Sequence, residues 1–163
     1  MSAASLKQLF MERDYEDEFY LITEHGQVYL KIMEVFGFPS ETSFLGGYDT
    51  RTLLDIKVGT YSGKAIIYIS TGQLHKFLTE LKACYQTLKG TASLKDYEGN
   101  LEMVFDFDGL GHVKVSGHLR EDISNRTELR FELDTDQTRI PQMIHGLEDL
   151  VLEYGDEKGA STQ

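Results

Sequence analysis

The hydrophobic period of the chain changes at one polar joint near its C-terminal end. In residues 127–134, leucine and phenylalanine alternate with charged residues, the period-two pattern of a strand with one solvent-facing side. In residues 140–154, apolar residues recur every three or four positions, which predicts an amphipathic helix. Thr138 is the predicted helix cap, with Pro141 in the first turn. We therefore expect a strand, a tight turn and a helix that folds back onto the strand.

The same two periods organise the rest of the chain. Residues 71–89 repeat the apolar spacing of the C-terminal helix and predict a second helix. Two helices with matching apolar stripes need a sheet face to share, and the short loops between successive strands predict antiparallel neighbours. The sequence therefore predicts an α+β fold: an antiparallel β-sheet of about six to eight strands with two amphipathic helices packed on one face. The predicted strands cover residues 18–23, 27–36, 50–61, 63–70, 91–97, 101–108, 112–120 and 126–134.

The hydrophobic pattern indicates a single domain followed by a polar tail. No linker or internal repeat divides the chain, so residues 1–155 are predicted to form a single α+β domain. Residues 1–18 suggest a short, weak helix that runs into acidic residues, and the polar residues 156–163 suggest a disordered tail. Sequential hairpins leave the order of the strands in the sheet open.

Charge and composition narrow the classes of partner. The 163 residues carry 27 acidic and 16 basic side chains, a net charge of −11. No cluster of lysine and arginine is available for phosphates, which argues against direct binding of nucleic acid or of an anionic membrane. The acidic excess suits a basic protein partner, although it equally suits a protein that is merely soluble. A lone cysteine, Cys84, excludes an internal disulfide, and the lack of a secretory signal predicts the cytoplasm.

The sequence contains no recognisable catalytic motif. It has neither a Walker loop nor a G-x-S-x-G turn, and we expect no catalytic residue, metal site or cofactor. His112 and His118 are predicted on the same face of one strand, but six residues of strand separate them by about 20 Å, too far to share a metal. The alternative interpretation is a small hydrolase or ligand-binding enzyme that uses the polar sheet face around these two histidines.

The polar face of the last three predicted strands is the candidate protein-binding surface. Its alternation leaves mostly acidic, hydrogen-bonding side chains pointing away from the core. A solvated sheet face explains the same pattern without any partner. Residues 37–47, a loop with two aromatic residues, are the alternative docking candidate. The candidate protein-binding residues are Glu102, Asp106, Glu128, Arg130, Glu132 and Asp134.

Several local motifs carry a resemblance to a known family. The strand–helix joint reads F-x-x-x-x-D-Q-T over residues 131–138. Upstream, G-T-Y-S-G at 59–63 precedes a strand, Q-L-x-x-F-x-x-x-L follows at 73–81, and L-x-G-x-A-x-L follows at 88–94. In this order, the motifs resemble those of WapI-type immunity proteins across residues 49–152. Arg139 and Ile140 depart from the aromatic–aliphatic pair expected after D-Q-T.

The resemblance implies a function that the composition alone does not. Proteins of this family are small cytoplasmic inhibitors encoded beside polymorphic, contact-dependent bacterial toxins. By this resemblance, the chain is expected to be a non-enzymatic immunity protein that binds the C-terminal domain of a cognate toxin. The toxin is expected to be basic and nuclease-like, and an RNase acting on tRNA is the first expectation. The acidic sheet face would then complement the toxin's basic surface. A structural subunit of a larger assembly is a further alternative.

Overall fold

Eight strands and two helices make up the computed structural model, which describes residues 17–124 and 126–160. The short N-terminal helix suggested by the sequence lies outside these residues, apart from its last two. Residues Gln137–Arg139 form a single 3-10 turn before the second helix. The elements are β1 (Glu18–Ile22), β2 (Gly26–Val35), β3 (Asp49–Val58), β4 (Tyr61–Ser70), α1 (Thr71–Thr87), β5 (Lys89–Lys95), β6 (Leu101–Asp108), β7 (His112–Leu119), β8 (Leu129–Asp136) and α2 (Ile140–Tyr154).

The strands form two antiparallel sheets of four strands each. The first sheet has the order β1-β2-β3-β4 and the second the order β5-β6-β7-β8, so every neighbour in a sheet is also the neighbour in sequence. The predicted α+β class, the antiparallel pairing and the strand number are confirmed. The sequence predicted a single sheet, and this was wrong. The chain leaves the first sheet after β4 and begins a second sheet after α1.

Helix α1 separates the two sheets because it takes the edge of β5. It starts directly at the end of β4, where the Ser70 hydroxyl accepts a hydrogen bond from the Gln73 amide (3.1 Å) and the Gln73 side chain accepts one from the Ser70 amide (2.9 Å). This capping box turns the chain out of the first sheet. The Ser93 amide then donates to Glu80 (3.3 Å), and the Lys95 carbonyl accepts from Gln73 (3.3 Å). Side chains of α1 thus replace a neighbouring strand.

Helix α2 covers the edge of β1 in the same way, through side-chain hydrogen bonds. The Gln142 side-chain amide accepts a hydrogen bond from the Ile22 backbone amide (3.1 Å) and donates one to the Ile22 carbonyl (3.2 Å). Gly146 permits this approach, since a Cβ atom there would lie 2.8 Å from the Glu18 carbonyl oxygen. The helices therefore protect one edge of each sheet, a common need of exposed strands.

The joint between β8 and α2 differs from its prediction in one respect. Asp136, not Thr138, supplies the cap: its carboxylate accepts a hydrogen bond from the Thr138 backbone amide (2.8 Å). The 3-10 turn then leads into α2, whose first turn holds Pro141 as predicted. Aspartate takes the role because the 3-10 turn starts at Gln137, three residues before the apolar periodicity of the helix begins.

One continuous core lies between the inner faces of the sheets and the apolar stripes of the helices. The predicted apolar rows of β6, β7 and β8 are buried or nearly so, and Phe77 of α1 meets Phe105 of β6 with ring centroids 5.5 Å apart. Among the described residues, neither helix is long and apolar enough to cross a membrane.

Residues 156–160 return to the body of the protein. The Glu157 carbonyl accepts a hydrogen bond from the Gly47 amide (2.7 Å), and the Ala160 amide donates to the Tyr48 hydroxyl (2.9 Å). These contacts join residues 156–160 to the body of the protein, while disorder from residue 156 onward stays a prediction. Their composition is polar, but partners distant in sequence satisfy their backbone groups, which a composition-based prediction does not see.

Candidate functional site

The outer face of the second sheet holds all six candidate residues. Strand β6 contributes Glu102 and Asp106, β8 contributes Arg130, Glu132 and Asp134, and Glu128 lies just before β8. The register aligns four of the six candidates in two cross-strand rows. These rows are Glu102–His118–Arg130 and Asp106–Lys114–Asp134.

Most carboxylates on this face are already paired with cations. Lys95 lies 3.8 Å from Glu102, and Lys114 lies 4.0 Å from Glu132. Glu128 lies between two arginines, and the hydrogen bond from Arg130 (2.6 Å) is the main reason that its pKa is lowered. These pairs are exposed or half-buried, so each is expected to add little to stability.

Asp106 and Asp134 are the exceptions. Both are exposed, and neither makes a hydrogen bond or an ion pair with another described residue. They flank Lys114 in one cross-strand row, but the Lys114 ammonium lies on the Glu132 side. Two solvated carboxylates therefore remain available on the face. They lie on β6 and on β8, the edge strand of the sheet.

Two further acids, Asp108 and Asp136, extend the face beyond the six candidates predicted from the sequence. Asp108 accepts hydrogen bonds from the Leu110 amide (2.7 Å) and from the His112 ring (2.8 Å), which lower its pKa. Hydrogen bonds from the Thr138 hydroxyl and amide lower the pKa of Asp136. Both residues remain anionic at neutral pH. The glycine-flanked turn after Asp108 was a usable signal, because aspartate commonly accepts from the backbone of such turns.

The two histidines of the enzyme alternative lie at opposite ends of β7. The His112 ring is bound to Asp108, and the His118 ring lies 3.3 Å from the Gly99 carbonyl oxygen. Within residues 17–124 and 126–160, no group of three or more histidine, cysteine or acidic side chains could hold a metal ion. The geometry does not bring the two rings together in one reaction centre.

The loop named as an alternative docking site is partly built into the body. Phe38 contacts Tyr48 and Tyr154 edge to face, with ring centroids 5.1 and 5.2 Å apart. Phe44 is 85% exposed and touches only one other aromatic ring among the described residues, that of Tyr97. Phe38 therefore anchors the loop, while Phe44 is left for solvent or a partner.

Comparison with known proteins identifies the family. The model of the WapI-like immunity protein family matches residues 20–155, which include every strand after β1 and both helices. Comparison with curated proteins gives no significant match, and comparison with solved structures gives none either. The family match spans most of the chain and covers all six candidate residues. The chain therefore belongs to the WapI-like immunity protein family.

Proposed function

We propose that this chain is a cytoplasmic immunity protein that binds a cognate bacterial toxin domain and neutralises it. The match of residues 20–155 to the family model is the observation that carries the proposal. Neutralisation in this proposal is stoichiometric: one folded chain occupies one toxin domain. It requires no turnover, only a stable surface that complements the toxin.

The outer face of the second sheet is the docking surface in this proposal. Its strands and the residue before β8 carry seven acidic and four basic side chains, and the whole chain carries −11. Asp106 and Asp134 are solvated and unpaired among the described residues, so they can receive cations from a partner. The toxin is then a basic, nuclease-like domain, and the acidic face covers the groove that holds its nucleic acid, with tRNA as the first candidate substrate. Complementary charge favours fast and selective association.

A rescue experiment tests the function itself. If a large secreted protein is encoded beside this chain, its C-terminal domain is expressed in bacteria, alone and together with the chain. We expect the domain to stop growth, and we expect co-expression to restore growth and yield a complex that co-purifies. Fragmented tRNA in the arrested cells would identify the toxin's activity. Growth arrest that persists despite abundant folded chain would contradict the proposal.

A charge reversal tests the docking surface. The double variant Glu132→Lys and Asp134→Lys is compared with Glu148→Lys and Asp149→Lys, which makes the same change in net charge on the exposed surface of α2. We expect the first pair to slow association with the toxin about tenfold at low salt, with the difference shrinking as salt rises. Equal on-rates for the two double variants would move the docking surface elsewhere and leave the immunity function standing.

A further inference from the structure

The two sheets have four outer edges, and three of them have hydrogen-bond partners outside their own sheet. Side chains of α2 and α1 bond to the outer edges of β1 and β5. On β4, the Tyr68 carbonyl accepts a hydrogen bond from the Tyr97 amide (3.3 Å). Strand β8 differs, because residues 129–134 make backbone hydrogen bonds only with β7 among the described residues. The outer edge of β8 is therefore unpaired within the part of the chain that the structure describes.

The register of β7 and β8 fixes which backbone groups point away from β7. The Gln137 amide donates a hydrogen bond to the Gly111 carbonyl (2.8 Å), just beyond the register pair His112–Asp136. This bond makes His112–Asp136 a non-hydrogen-bonded pair, and the two pair types alternate along an antiparallel ladder. The ladder has no register shift, so every second residue of β8 points its amide and carbonyl away from β7. These residues are Arg130, Glu132 and Asp134.

These three residues form an open row of three backbone donors and three acceptors. Buried backbone groups nearly always have a partner, so groups without one are expected to face water. The neighbouring side chains agree, because those of Arg130 and Glu132 are 79% and 68% exposed. Strand β8 contains neither a proline nor a bulge, two features that commonly block an edge. An extended segment of a partner can therefore pair with it as a fifth strand.

Charge decides which kind of segment fits this edge. Residues 128–136 carry four acidic side chains and one basic side chain, a net charge of −3. Residues that face each other across two strands have Cβ atoms about 4.5–5.5 Å apart, where opposite charges stabilise the pair and like charges destabilise it. A second copy of β8, paired antiparallel about Glu132, would place that carboxylate against its counterpart and bring two acidic strands together. A basic segment is therefore favoured over a second copy of this chain.

The two faces of β8 set the side-chain pattern of the segment. Glu132 and Asp134 are exposed on the outer face, whereas Phe131 and Leu133 are buried on the inner face. Since side chains alternate between the faces of a sheet, a segment paired with residues 130–134 presents every second side chain to the two acids. Its intervening side chains lie on the side of the core. The matching segment therefore has two basic residues separated by one apolar residue.

We propose that β8 binds an extended segment of the toxin domain as an antiparallel fifth strand of the second sheet, with lysine or arginine opposite Glu132 and Asp134. The identity of the occupant rests on the proposed immunity function, whereas the open edge does not. The outer face of the sheet offers a partner only side chains. The edge adds six backbone hydrogen bonds, which fix the basic residues of the toxin opposite the two acids.

Amide hydrogen exchange of the full chain tests whether the edge is open. We expect the Glu132 and Asp134 amides to exchange at least tenfold faster than those of Phe131 and Leu133, which are bonded to β7, after correction for intrinsic rates. Equal protection of all four amides would overturn the proposal. Protection of Glu132 and Asp134 that rises with the concentration of the chain would identify a second copy as the occupant, and it would overturn the proposal too.

A synthetic peptide tests the pairing without the toxin. The probe is an acetylated and amidated peptide with the core Lys-Val-Lys-Val-Glu, the antiparallel complement of residues 130–134. Methylation of its two lysine amides removes donors that face β8, whereas methylation of its two valine amides changes groups that face away. We expect the first change to weaken binding about tenfold or more and the second to matter much less. Equal binding of both methylated peptides would overturn the proposal, as would no protection of Glu132 and Asp134 at millimolar unmodified peptide.

Two variants at one position connect the edge to toxin binding. Glu132→Pro removes an amide that points away from β7, so the pairing of β7 with β8 is expected to survive. Glu132→Thr removes the same charge and keeps the amide. We expect the proline variant to bind the toxin domain at least tenfold more weakly than the threonine variant and to lose growth rescue. If Glu132→Pro does not fold, the methylated peptides decide the outcome.

The outcomes separate this inference from the proposed function. Equal binding and growth rescue by Glu132→Pro and Glu132→Thr would overturn pairing at β8 and leave the immunity function standing. A wild-type chain that does not rescue growth would contradict the immunity function and the toxin as occupant. In that case, the exchange and peptide measurements still decide whether the β8 edge binds a basic strand.

Discussion

Gln142 allows a direct test of how α2 is held against the first sheet. Its side-chain amide forms two hydrogen bonds with the backbone of Ile22, at 3.1 and 3.2 Å, on the edge of β1 that faces away from β2. Gln142→Ala removes both bonds and leaves the helix backbone intact. Gln142→Glu retains the acceptor for the Ile22 amide but loses the donor for the Ile22 carbonyl. The two substitutions therefore form a graded series.

The expected loss follows from the number and setting of these bonds. A net intramolecular hydrogen bond is worth about 0.5–1.5 kcal/mol, so two are worth about 1–3 kcal/mol. Both lie in an exposed setting where water replaces them in part, which favours the lower end. Alanine also returns a few tenths of a kcal/mol through its helix propensity. We expect a net loss of about 1 kcal/mol for Gln142→Ala, or about 2–4 °C in Tm for a chain of this size.

Thermal and urea unfolding followed by circular dichroism measure the loss, and amide hydrogen exchange localises it. The Ile22 amide should lose protection in Gln142→Ala and retain part of it in Gln142→Glu. Gln86→Ala is the matched control, because Gln86 is an exposed helical glutamine on α1 that makes no hydrogen bond with a described residue. Unchanged exchange at Ile22 together with a stability equal to that of the control would refute the bridging role of Gln142.

Two further predictions concern stability. Partial burial of the Glu153 carboxyl and its hydrogen bond with Asp17 raise its pKa from 4.5 to about 7. The folded chain therefore binds more protons than the unfolded chain between these values, so wild-type stability should fall as pH rises from 4.5 to 7. Glu153→Gln should remove that fall in stability. We expect the fall in the wild type to stay below about 1 kcal/mol, because solvent reaches most of the side chain and screens its interactions. Urea titrations across this pH window measure the fall, and an equal fall in Glu153→Gln would contradict the prediction. Ser70→Ala breaks the capping box with Gln73 and should cost about 1 kcal/mol, so a Tm equal to that of the wild type would contradict the role of the cap.

The structure shows that the acidic excess is distributed unevenly between the outer faces of the two sheets. Counted along the chain, the acidic excess suggests one acidic surface. In the structure, the outer face of the second sheet carries an excess of acids while that of the first sheet is neutral. The register explains this difference, because it decides which charged residues share a face and which cations lie within reach of a carboxylate. A partner would meet two surfaces of different chemistry.

The sequence by itself determined the elements and the inner and outer positions of most strands. Periodicity is a local property, so the alternation around Phe131 and the helical stripe from Ile140 needed only neighbouring residues. The six candidate residues were placed on one face for the same reason. The motifs around residues 131–138 also pointed to the family whose model matches residues 20–155.

Only the tertiary structure decided how these elements close around the core. The division into two sheets depends on side chains of α1 taking the edge of β5, and the hold of α2 on β1 depends on a glutamine 120 residues away from its partner. Contacts between residues so far apart in sequence produce no periodic pattern of hydrophobic and polar residues, because each depends on one side chain of the right length at one position. The buried Asp55 side chain, whose Oδ1 makes no hydrogen bond with another described residue, is of the same kind. It follows from the strands on either side of Asp55, and the sequence around that residue reads as an ordinary strand.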